Sequence, residues 1–402
     1  MKIRRSIAEP LTAMHIGLEP MDTIPKNTIR DLNSVRKRLE RGEELLSPYA
    51  SKSVDSVRAI PEEPSATRTE FQRDRDRVIH TNSFRRLKHK SQVFVAPQGD
   101  HFTTRLTHVI EVAQVGRSIA RGLNLNEDLV EAIGLGHDLG HTPFGHIGEG
   151  VLNQVLPGGF HHSRHSVRLV TLLEKDGKGL NLTEHVIDGI RNHSKPEGQF
   201  LSRTAVENLS LEAQIVRISD ALAYLAHDIN DALRSEYIKI EDLPTDAIEA
   251  LGERHSQRVN AVITDVIGSS WDCTGEIDFE GSDESVSPGS TDGAGSGDGK
   301  PWIRMSPELG KIVTDLRVFM FERFYHPISA SKEGRKAAAI VGVLFEHFSK
   351  NPDPIPKWIR DLSDSTDRAA ADFVCGMTDN FALMMAEQIR PGLSDGVFHG
   401  RI

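Results

Sequence analysis

Apolar residues recur at helical spacing over much of the chain. Between positions 109 and 120 the apolar side chains fall on one helical face, formed by Val109, Val112, Ala113, Val115, Ile119 and Ala120. A second amphipathic run covers positions 127–135, and Gly140 and Pro143 mark where its helix has to end. His137, Asp138 and His141 are therefore predicted to lie in the last helical turn or just past it.

The same spacing continues towards the C-terminus. Apolar residues recur at helical intervals over positions 211–234, 312–325 and 369–389. Strand signals are scarce, and the best of them is the short run 92–95 before Pro97. The pattern predicts an all-α fold.

Two stretches interrupt this pattern. Residues 1–44 are mixed and polar with little apolar face, which indicates a poorly ordered leader. Residues 275–301 are rich in Gly, Ser, Asp and Glu and cannot bury enough apolar surface to order, which indicates a disordered, flexible, acidic insertion. The predicted organisation is therefore a leader, a helical core over 45–274, the insertion, and a C-terminal helical region over 302–402 packed on the core.

Composition and charge narrow the class of protein. The chain has 402 residues, a formal net charge of -10 and 38% hydrophobic residues, which fits a globular enzyme with a sizeable core. No apolar run approaches the roughly 18–20 residues of a membrane span, and the two cysteines lack metal-ligand spacing. We predict a cytoplasmic protein with no membrane partner, in which an anionic substrate meets local Arg, Lys or metal.

Histidine and aspartate side chains that suit a metal ion occur in three separate segments. They are His108, the adjacent pair His137 and Asp138, and Asp220. Two imidazoles and two carboxylates suit a divalent ion such as Mn, Mg, Fe, Co or Ni, and Zn is also compatible with them. We predict that these four residues hold one divalent metal ion of open identity.

A zinc protease is the competing interpretation of one part of this pattern. His137 and His141 have the spacing of the two histidines in H-E-x-x-H, with Asp138 in place of the glutamate. Gly140 and Pro143 do not suit the long zinc-binding helix of such enzymes, and aspartate is a shorter base. A metalloprotease is therefore disfavoured.

The order H…HD…D resembles that of the HD-domain phosphohydrolases. Further blocks narrow the resemblance to the deoxyguanosine triphosphate triphosphohydrolase-like family, and they cover residues 68–80, 84–94, 137–149, 220–229 and 376–379. The resemblance implies an HD-domain helical bundle with additional C-terminal helices. It also implies metal-dependent hydrolysis of deoxynucleoside triphosphates to deoxynucleoside and inorganic triphosphate.

The departing 5′-oxygen of such a substrate needs a proton. Glu149 lies three residues after His146, so the carboxylate can orient the imidazole for acid-base work. By resemblance, His146 and Glu149 match the family's catalytic pair. The plainer alternative is that both residues cap and pack the next helix.

Six residues are predicted to contact the substrate, namely Gln92, Arg105, His141, His162, Tyr224 and Asp228. Arg105 shares a helical face with His108 and can grip a phosphate, and His141 can donate a hydrogen bond to one. The resemblance assigns Gln92 and Asp228 to the 3′-hydroxyl, and Tyr224 to the phosphates or the sugar. Plain packing or solvation is the alternative for each of them.

Two departures from the family pattern leave the base preference open. His162 keeps the histidine of a Phe-x-His-Asn-x-Gln-Ser run whose amide residues are replaced, and Phe381 stands where tyrosine is common.

Two alternative functions stay open. One is an HD-type phosphohydrolase acting on another phosphate ester, and the other is a nucleotide- or DNA-binding regulator with slow turnover. The resemblance further implies a homo-oligomer with nucleotide activation. The basic cluster 85–90 is a candidate contact for a second nucleotide, for single-stranded nucleic acid or for another subunit, or simply a solvated face.

Overall fold

The computed structural model describes residues 32–93, 103–194, 202–275 and 300–393. Over these ranges the chain forms helices and no β-strand, with two isolated β-bridges that pair Arg58 with Thr183 and Ser91 with Thr104. The predicted all-α class is therefore confirmed. None of the described helices combines the length and the apolar character that crossing a membrane requires.

The helices before residue 275 are α1 Asn33–Glu43, α2 Glu70–Ile79, α3 Asn82–Arg86, α4 Arg105–Gly122, α5 Glu127–Gly136, α6 Gly145–Val155, α7 His162–Arg168, α8 Glu174–Gly177, α9 Glu184–Asn192, α10 Arg203–Val206, α11 Leu211–Arg234, α12 Thr245–Leu251 and α13 His255–Ser269. The later helices are α14 Pro307–Met320, α15 His326–Ser329, α16 Lys332–Lys350, α17 Lys357–Asp361, α18 Thr366–Cys375 and α19 Asp379–Ile389. Short 3-10 turns cover Ser53–Asp55, Leu87–His89, Ile240–Asp242 and Trp271–Thr274, and π-turns cover Leu169–Leu173 and Phe321–Tyr325.

Local side-chain caps fix where the central helices begin. The Thr104 hydroxyl accepts from the Thr107 amide at 3.5 Å, the Asn126 side chain from the Leu129 amide, and the Ser210 hydroxyl from the Ala213 amide. Each cap satisfies an amide that lacks an intrahelical partner and contributes about 1 kcal/mol. These caps begin α4, α5 and α11. The predicted metal ligands lie on α4 and α11 and directly after α5.

Two apolar cores stabilise the fold. In the first core, α4, α5 and α11 pack on one another, with fully buried Val112, Leu129 and Ile215. In the second core, α6 packs against α16, and α16 in turn against α18 and α19, around buried Leu152 and Val374. The C-terminal helices therefore bury the apolar face of α6.

The N-terminal segment is more ordered than its polar sequence predicts. Helix α1 lies inside the predicted leader, and its last residue, Glu43, is buried and accepts hydrogen bonds from the amide and hydroxyl of Ser53, both at 2.7 Å. Asn126 donates to the same carboxylate at 3.1 Å. The leader boundary at residue 44 is therefore wrong, because α1 is anchored by hydrogen bonds that hydrophobic periodicity does not register. Residues 1–31 and 276–299, which hold the rest of the leader and most of the predicted insertion, lie outside the described residues.

Two smaller predictions of secondary structure need correction. The run 369–389 is not one helix, because α18 ends at Cys375 and Thr378 caps a new helix by accepting from the Phe381 amide at 3.3 Å. At the predicted strand 92–95, Gln92 and Val93 form a bend, and the other two residues lie outside the described part.

Candidate metal centre

Three helices bring the four predicted metal ligands together. His108 lies in the first turn of α4, His137 follows the last residue of α5, and Asp220 lies in the middle of α11. The Nε2 atom of His108 is 3.2 Å from Asp220 Oδ1, and His137 Nε2 is 3.8 Å from the same oxygen. Asp138 Oδ1 is 3.5 Å from His137 Nε2. The structure thus joins side chains from three distant segments in one cluster.

The His137 ring has the hydrogen bonding and burial of a candidate metal ligand. Its Nδ1 is 2.6 Å from the Gly134 carbonyl, which accepts the Nδ1 proton, and its buried Nε2 has no hydrogen-bond partner within the described residues. Burial lowers the pKa of His137, which favours the neutral ring whose Nε2 lone pair can bind a cation. Burial alone would raise the pKa of Asp138, but the charges of His141, His137 and Arg105 hold it well below its usual range. A neutral imidazole beside carboxylates fits a divalent cation.

Arg105 makes a contact that its sequence spacing does not predict. Its fully buried side chain donates from Nη1 to Asp138 Oδ2, a candidate metal-ligand oxygen, at 2.6 Å. Sequence spacing cannot show this contact, because Arg105 begins α4 whereas Asp138 lies just past the end of α5. Its Nε and Nη2 atoms have no hydrogen-bond partner in the described structure. The guanidinium therefore fixes Asp138 and keeps two donors for an anion.

The predicted catalytic pair is formed on α6. His146 Nδ1 is 3.0 Å from Glu149 Oε2, and the His146 side chain is 60% exposed. Glu149 also accepts from the ring Nδ1 and the backbone amide of His162, both at 2.8 Å. Burial alone would raise the pKa of Glu149, but His162 and His146 hold it far below its usual range. An ionised Glu149 therefore orients both imidazoles.

The structure adds one histidine that sequence reasoning missed. His193 follows α9 directly, is 1% exposed, and has its ring centre 4.8 Å from that of His137. Its Nε2 is 3.1 Å from His162 Nε2. A sequence signal existed, because His193 follows an amphipathic helix as His137 follows α5, and each ring bonds through Nδ1 to the carbonyl three residues earlier.

A cavity of about 330 Å³ opens onto this cluster, within the range of small-molecule sites. The predicted site residues in its wall are Gln92, Arg105, His108, Asp138, His141, His146, His162 and Asp220. Arg317, Tyr325 and His326 line it as well, and sequence reasoning did not single them out. A larger cavity of about 890 Å³, lined in part by Arg77, Arg86 and Trp358, contains none of the predicted site residues.

The other residues predicted to contact the substrate are placed differently relative to this cavity. Gln92 is buried in its wall, with an Oε1 atom that lacks a hydrogen-bond partner among the described residues. His141 Nε2 is 3.3 Å from Asp138 Oδ1, and His141 lies just past the end of α5. Asp228 is fully buried, is absent from the described cavity lining, and accepts from the Tyr325 hydroxyl at 2.6 Å. Tyr224 lies in α11, but its side chain is outside the described structure.

Comparisons with known proteins agree with this geometry. An HD domain is matched by residues 105–225, which include all four candidate ligands, and a phosphohydrolase-associated domain is matched by residues 303–388. Deoxyguanosinetriphosphate triphosphohydrolase-like proteins of Caldanaerobacter subterraneus subsp. tengcongensis, Desulfatibacillum aliphaticivorans and Clostridium tetani are 48%, 42% and 39% identical to the chain. The alignments cover 86%, 89% and 89% of this chain and 92%, 98% and 97% of those proteins.

The chain belongs to the deoxyguanosinetriphosphate triphosphohydrolase-like family. The predicted resemblance is therefore confirmed, and the protein is a hydrolase of the HD-domain phosphohydrolase type. The phosphohydrolase-associated domain corresponds to the helices from α14 to α19, so this family's C-terminal part supplies most of the second core.

One carboxylate of that C-terminal part holds two segments of the cavity wall. Asp379 is 3% exposed, and its Oδ2 accepts from the amide and hydroxyl of Ser91 at 2.9 and 2.5 Å. Its Oδ1 accepts from the Phe144 amide at 3.0 Å, where Phe144 has a left-handed backbone with φ of 59°. Asp379 thus fixes the residues just before Gln92 and His146.

Lys90 also fixes backbone segments beside this cavity wall. Its buried Nζ donates to the carbonyls of His141 and Cys375 at 2.5 and 2.8 Å, and burial lowers its pKa to about 8. The prediction of a solvated basic face over 85–90 is therefore wrong at Lys90, because the sequence does not show that two carbonyls meet this ammonium group.

We expect Asp379→Asn to lower kcat about tenfold to a hundredfold. Asparagine has one acceptor oxygen, so either the Ser91 or the Phe144 amide loses its partner at a cost of about 1–3 kcal/mol. The loosened segments then misplace Gln92 and His146. Steady-state kinetics and a thermal melt check this, with Asp353→Asn as the control because that side chain is 98% exposed. A folded Asp379→Asn protein with full kcat would contradict the role.

Proposed function

We propose that the protein hydrolyses deoxynucleoside triphosphates in a metal-dependent reaction that yields deoxynucleoside and inorganic triphosphate. The observation that carries the proposal is that three of the four candidate ligands, His108, Asp138 and Asp220, line one cavity of nucleotide-compatible size together with His146. The names of the relatives support the same substrate class. We propose Mn, Mg, Fe, Co or Ni as the metal.

The chain's own residues provide the remaining chemistry. A divalent cation on the cluster, when bound, polarises the α-phosphoryl oxygen and lowers the pKa of a bound water. His146 donates a proton to the departing 5′-oxygen, and Glu149 keeps its ring oriented. The spare Nε and Nη2 donors of Arg105 neutralise phosphate charge in an acidic protein. Gln92 accepts a sugar hydroxyl through its unpartnered Oε1.

One observation favours a second candidate substrate. Asp228, predicted to bind the 3′-hydroxyl, is absent from the described cavity wall, and its carboxylate already accepts from the Tyr325 hydroxyl. An HD-type phosphohydrolase acting on a phosphate ester without that hydroxyl would not need such a contact. A regulator with slow turnover would not need the pair His146 and Glu149. A homo-oligomer, an activating nucleotide or single-stranded nucleic acid, and a cytoplasmic location stay predictions.

Product analysis tests the proposal. The purified protein with Mn²⁺ or Mg²⁺ is incubated with each deoxynucleoside triphosphate, singly and mixed, and with ribonucleoside triphosphates as the control. We expect deoxynucleoside and triphosphate in equal amounts, and slower turnover of ribonucleotides. In ¹⁸O water the label enters the triphosphate, because water attacks the α-phosphorus and the bond from phosphorus to the 5′-oxygen breaks. Release of diphosphate or monophosphate would show a different reaction, and turnover of other phosphate esters alone would favour the second candidate.

A further inference from the structure

A buried arginine of α11 holds the end of α9 beside the candidate metal centre. Arg217 donates from Nη1 to the carbonyls of Asn192 and Ser194, both at 3.0 Å, and its side chain is buried. These two residues flank His193, which directly follows α9. The last carbonyls of a helix lack an amide partner within the helix, and a cation at that end is favourable. Arg217 therefore caps α9 and fixes the backbone on both sides of His193.

The segment that Arg217 holds meets the candidate site at two points. The His193 ring packs against the ring of His137, with 4.8 Å between the ring centres and 67° between the ring planes. Ser194 lies in the wall of the cavity of about 330 Å³ that opens onto the metal ligands. A shift of this segment would therefore move both the cavity wall and the surface against which a candidate ligand ring packs.

Few other hydrogen bonds tie this segment to the rest of the protein. The Asn192 side chain donates to the carbonyl of Asp188, and the Nδ1 of His193 bonds to the carbonyl three residues earlier, so both bonds stay within α9. Over the described ranges, the side-chain contacts that join residues 192–194 to other helices are the two bonds from Arg217 and the contact of His193 with His162. Arg217 is thus the main polar anchor of this helix end.

The position of Arg217 parallels that of Arg105. Arg105 lies three residues before His108 on α4, and Arg217 lies three residues before Asp220 on α11, so each arginine shares a helical face with a candidate ligand. The Nη1 of Arg105 donates to Asp138 just past α5, as the Nη1 of Arg217 donates to the end of α9. Each guanidinium joins a ligand-bearing helix to the end of a second helix at the same site.

We propose that Arg217 is a positioning residue of the candidate metal centre, which it serves by fixing the end of α9. The inference rests on the proposed metal site and assigns Arg217 no contact with metal or substrate. With both bonds present, the His193 ring keeps His137 in the orientation that places its Nε2 3.5 Å from Asp138 Oδ1 and 3.8 Å from Asp220 Oδ1. Without them, the ligand ring loses a fixed neighbour.

Titration with Mn²⁺ tests the inference without a measurement of activity. Arg217→Met removes the donors, whereas Arg217→Lys keeps an ammonium group with three donors. A single nitrogen makes both bonds of Arg217, and the Lys90 ammonium bonds two carbonyls in the same way. Metal-free proteins are titrated with Mn²⁺ by isothermal titration calorimetry. We expect Arg217→Met to bind Mn²⁺ about tenfold more weakly than the wild type, the effect typical of groups that orient metal ligands, and Arg217→Lys to recover most of this loss.

Arg258 provides the matched control. Like Arg217 it is 4% exposed, and it donates to the carbonyl of Glu253 just past α12 and to the side chain of Asn230. It is absent from the described lining of the cavity. Arg258→Met therefore removes a guanidinium of equal burial from another helix end. We expect this variant to melt at a lower temperature than the wild type and to keep the wild-type affinity for Mn²⁺.

Two results would overturn the inference. One is a wild-type affinity for Mn²⁺ in Arg217→Met, and the other is an equal loss of affinity in Arg217→Met and Arg258→Met, since loss of any buried arginine would then have the same effect. No binding of Mn²⁺ to the wild type would instead overturn the proposed metal site, and the inference with it. If circular dichroism shows that Arg217→Met does not fold, Arg217→Gln takes its place with the same expected loss.

Discussion

Replacement of Asp138 by alanine should remove the bound metal and lower kcat at least about a thousandfold, because a metal ion contributes several kcal/mol of transition-state stabilisation. Asp138 also has a structural role, since its carboxylate is the hydrogen-bonded partner of fully buried Arg105. The variant would leave that guanidinium charge unpaired, at a cost of about 3–5 kcal/mol. We therefore expect loss of activity together with a lower free energy of unfolding.

The two roles of Asp138 can be separated by a second variant. Asp138→Asn keeps the size of the side chain and an oxygen that can accept from Arg105, but it removes the negative charge that attracts a cation. We expect this variant to melt nearer to the wild type than Asp138→Ala while still losing metal and activity. Metal analysis, kinetics and thermal melts of both variants check this. A variant at this position that kept both metal and activity would disprove the site.

The second large effect concerns the catalytic pair. His146→Ala should lower kcat by about 10²–10⁴, the usual contribution of a general acid, and should leave the metal content unchanged. Glu149→Gln should have a similar effect on kcat, because the amide no longer accepts from both His146 and His162. Since the two residues act as one unit, the double variant should be little slower than either single variant.

A half-buried histidine of α16 provides the matched control for this cycle. His347 lies on α16 with its ring 5.1 Å from that of Phe348, away from the cavity lining, so His347→Ala should keep full kcat. If the fold-loss of kcat in the double variant equals the product of the two single losses, the pair does not act together in proton transfer. A normal kcat in His146→Ala would show the same. In that case packing of α6, the plainer alternative, would account for His146 and Glu149.

Much of the fold was predictable because it is encoded locally. The bounds of α11 agree with the apolar repeat over 211–234, and a serine just before the repeat caps the helix. The end of α5 agrees with the stop signals at Gly140 and Pro143, so His137 and Asp138 lie where the sequence predicts. The ligand residues follow from chemistry in the same way, since two imidazoles and two carboxylates suit one divalent ion.

The rest depends on contacts between distant segments, which periodicity does not encode. Ser91 and Asp379 are 288 positions apart in the chain, and nothing near either residue indicates that they meet. The contact of Arg105 with Asp138 joins the start of α4 to the turn after α5, and only the packed structure shows that they meet. His193 was missed although it follows an amphipathic helix as His137 does, because nothing in the sequence places it beside His137 and His162.

The division of the protein into two cores has a consequence for how activity is lost on heating. All four candidate metal ligands lie on or next to helices of the first core, whereas His146 and Glu149 lie on α6, whose apolar face belongs to the second. Packed units of this kind open with their own free energies. If the second core unfolds at a lower temperature than the first, the protein is inactivated while its metal stays bound. Thermal inactivation would then be reversible on cooling, because the retained ion preserves the surface on which α6 has to dock again.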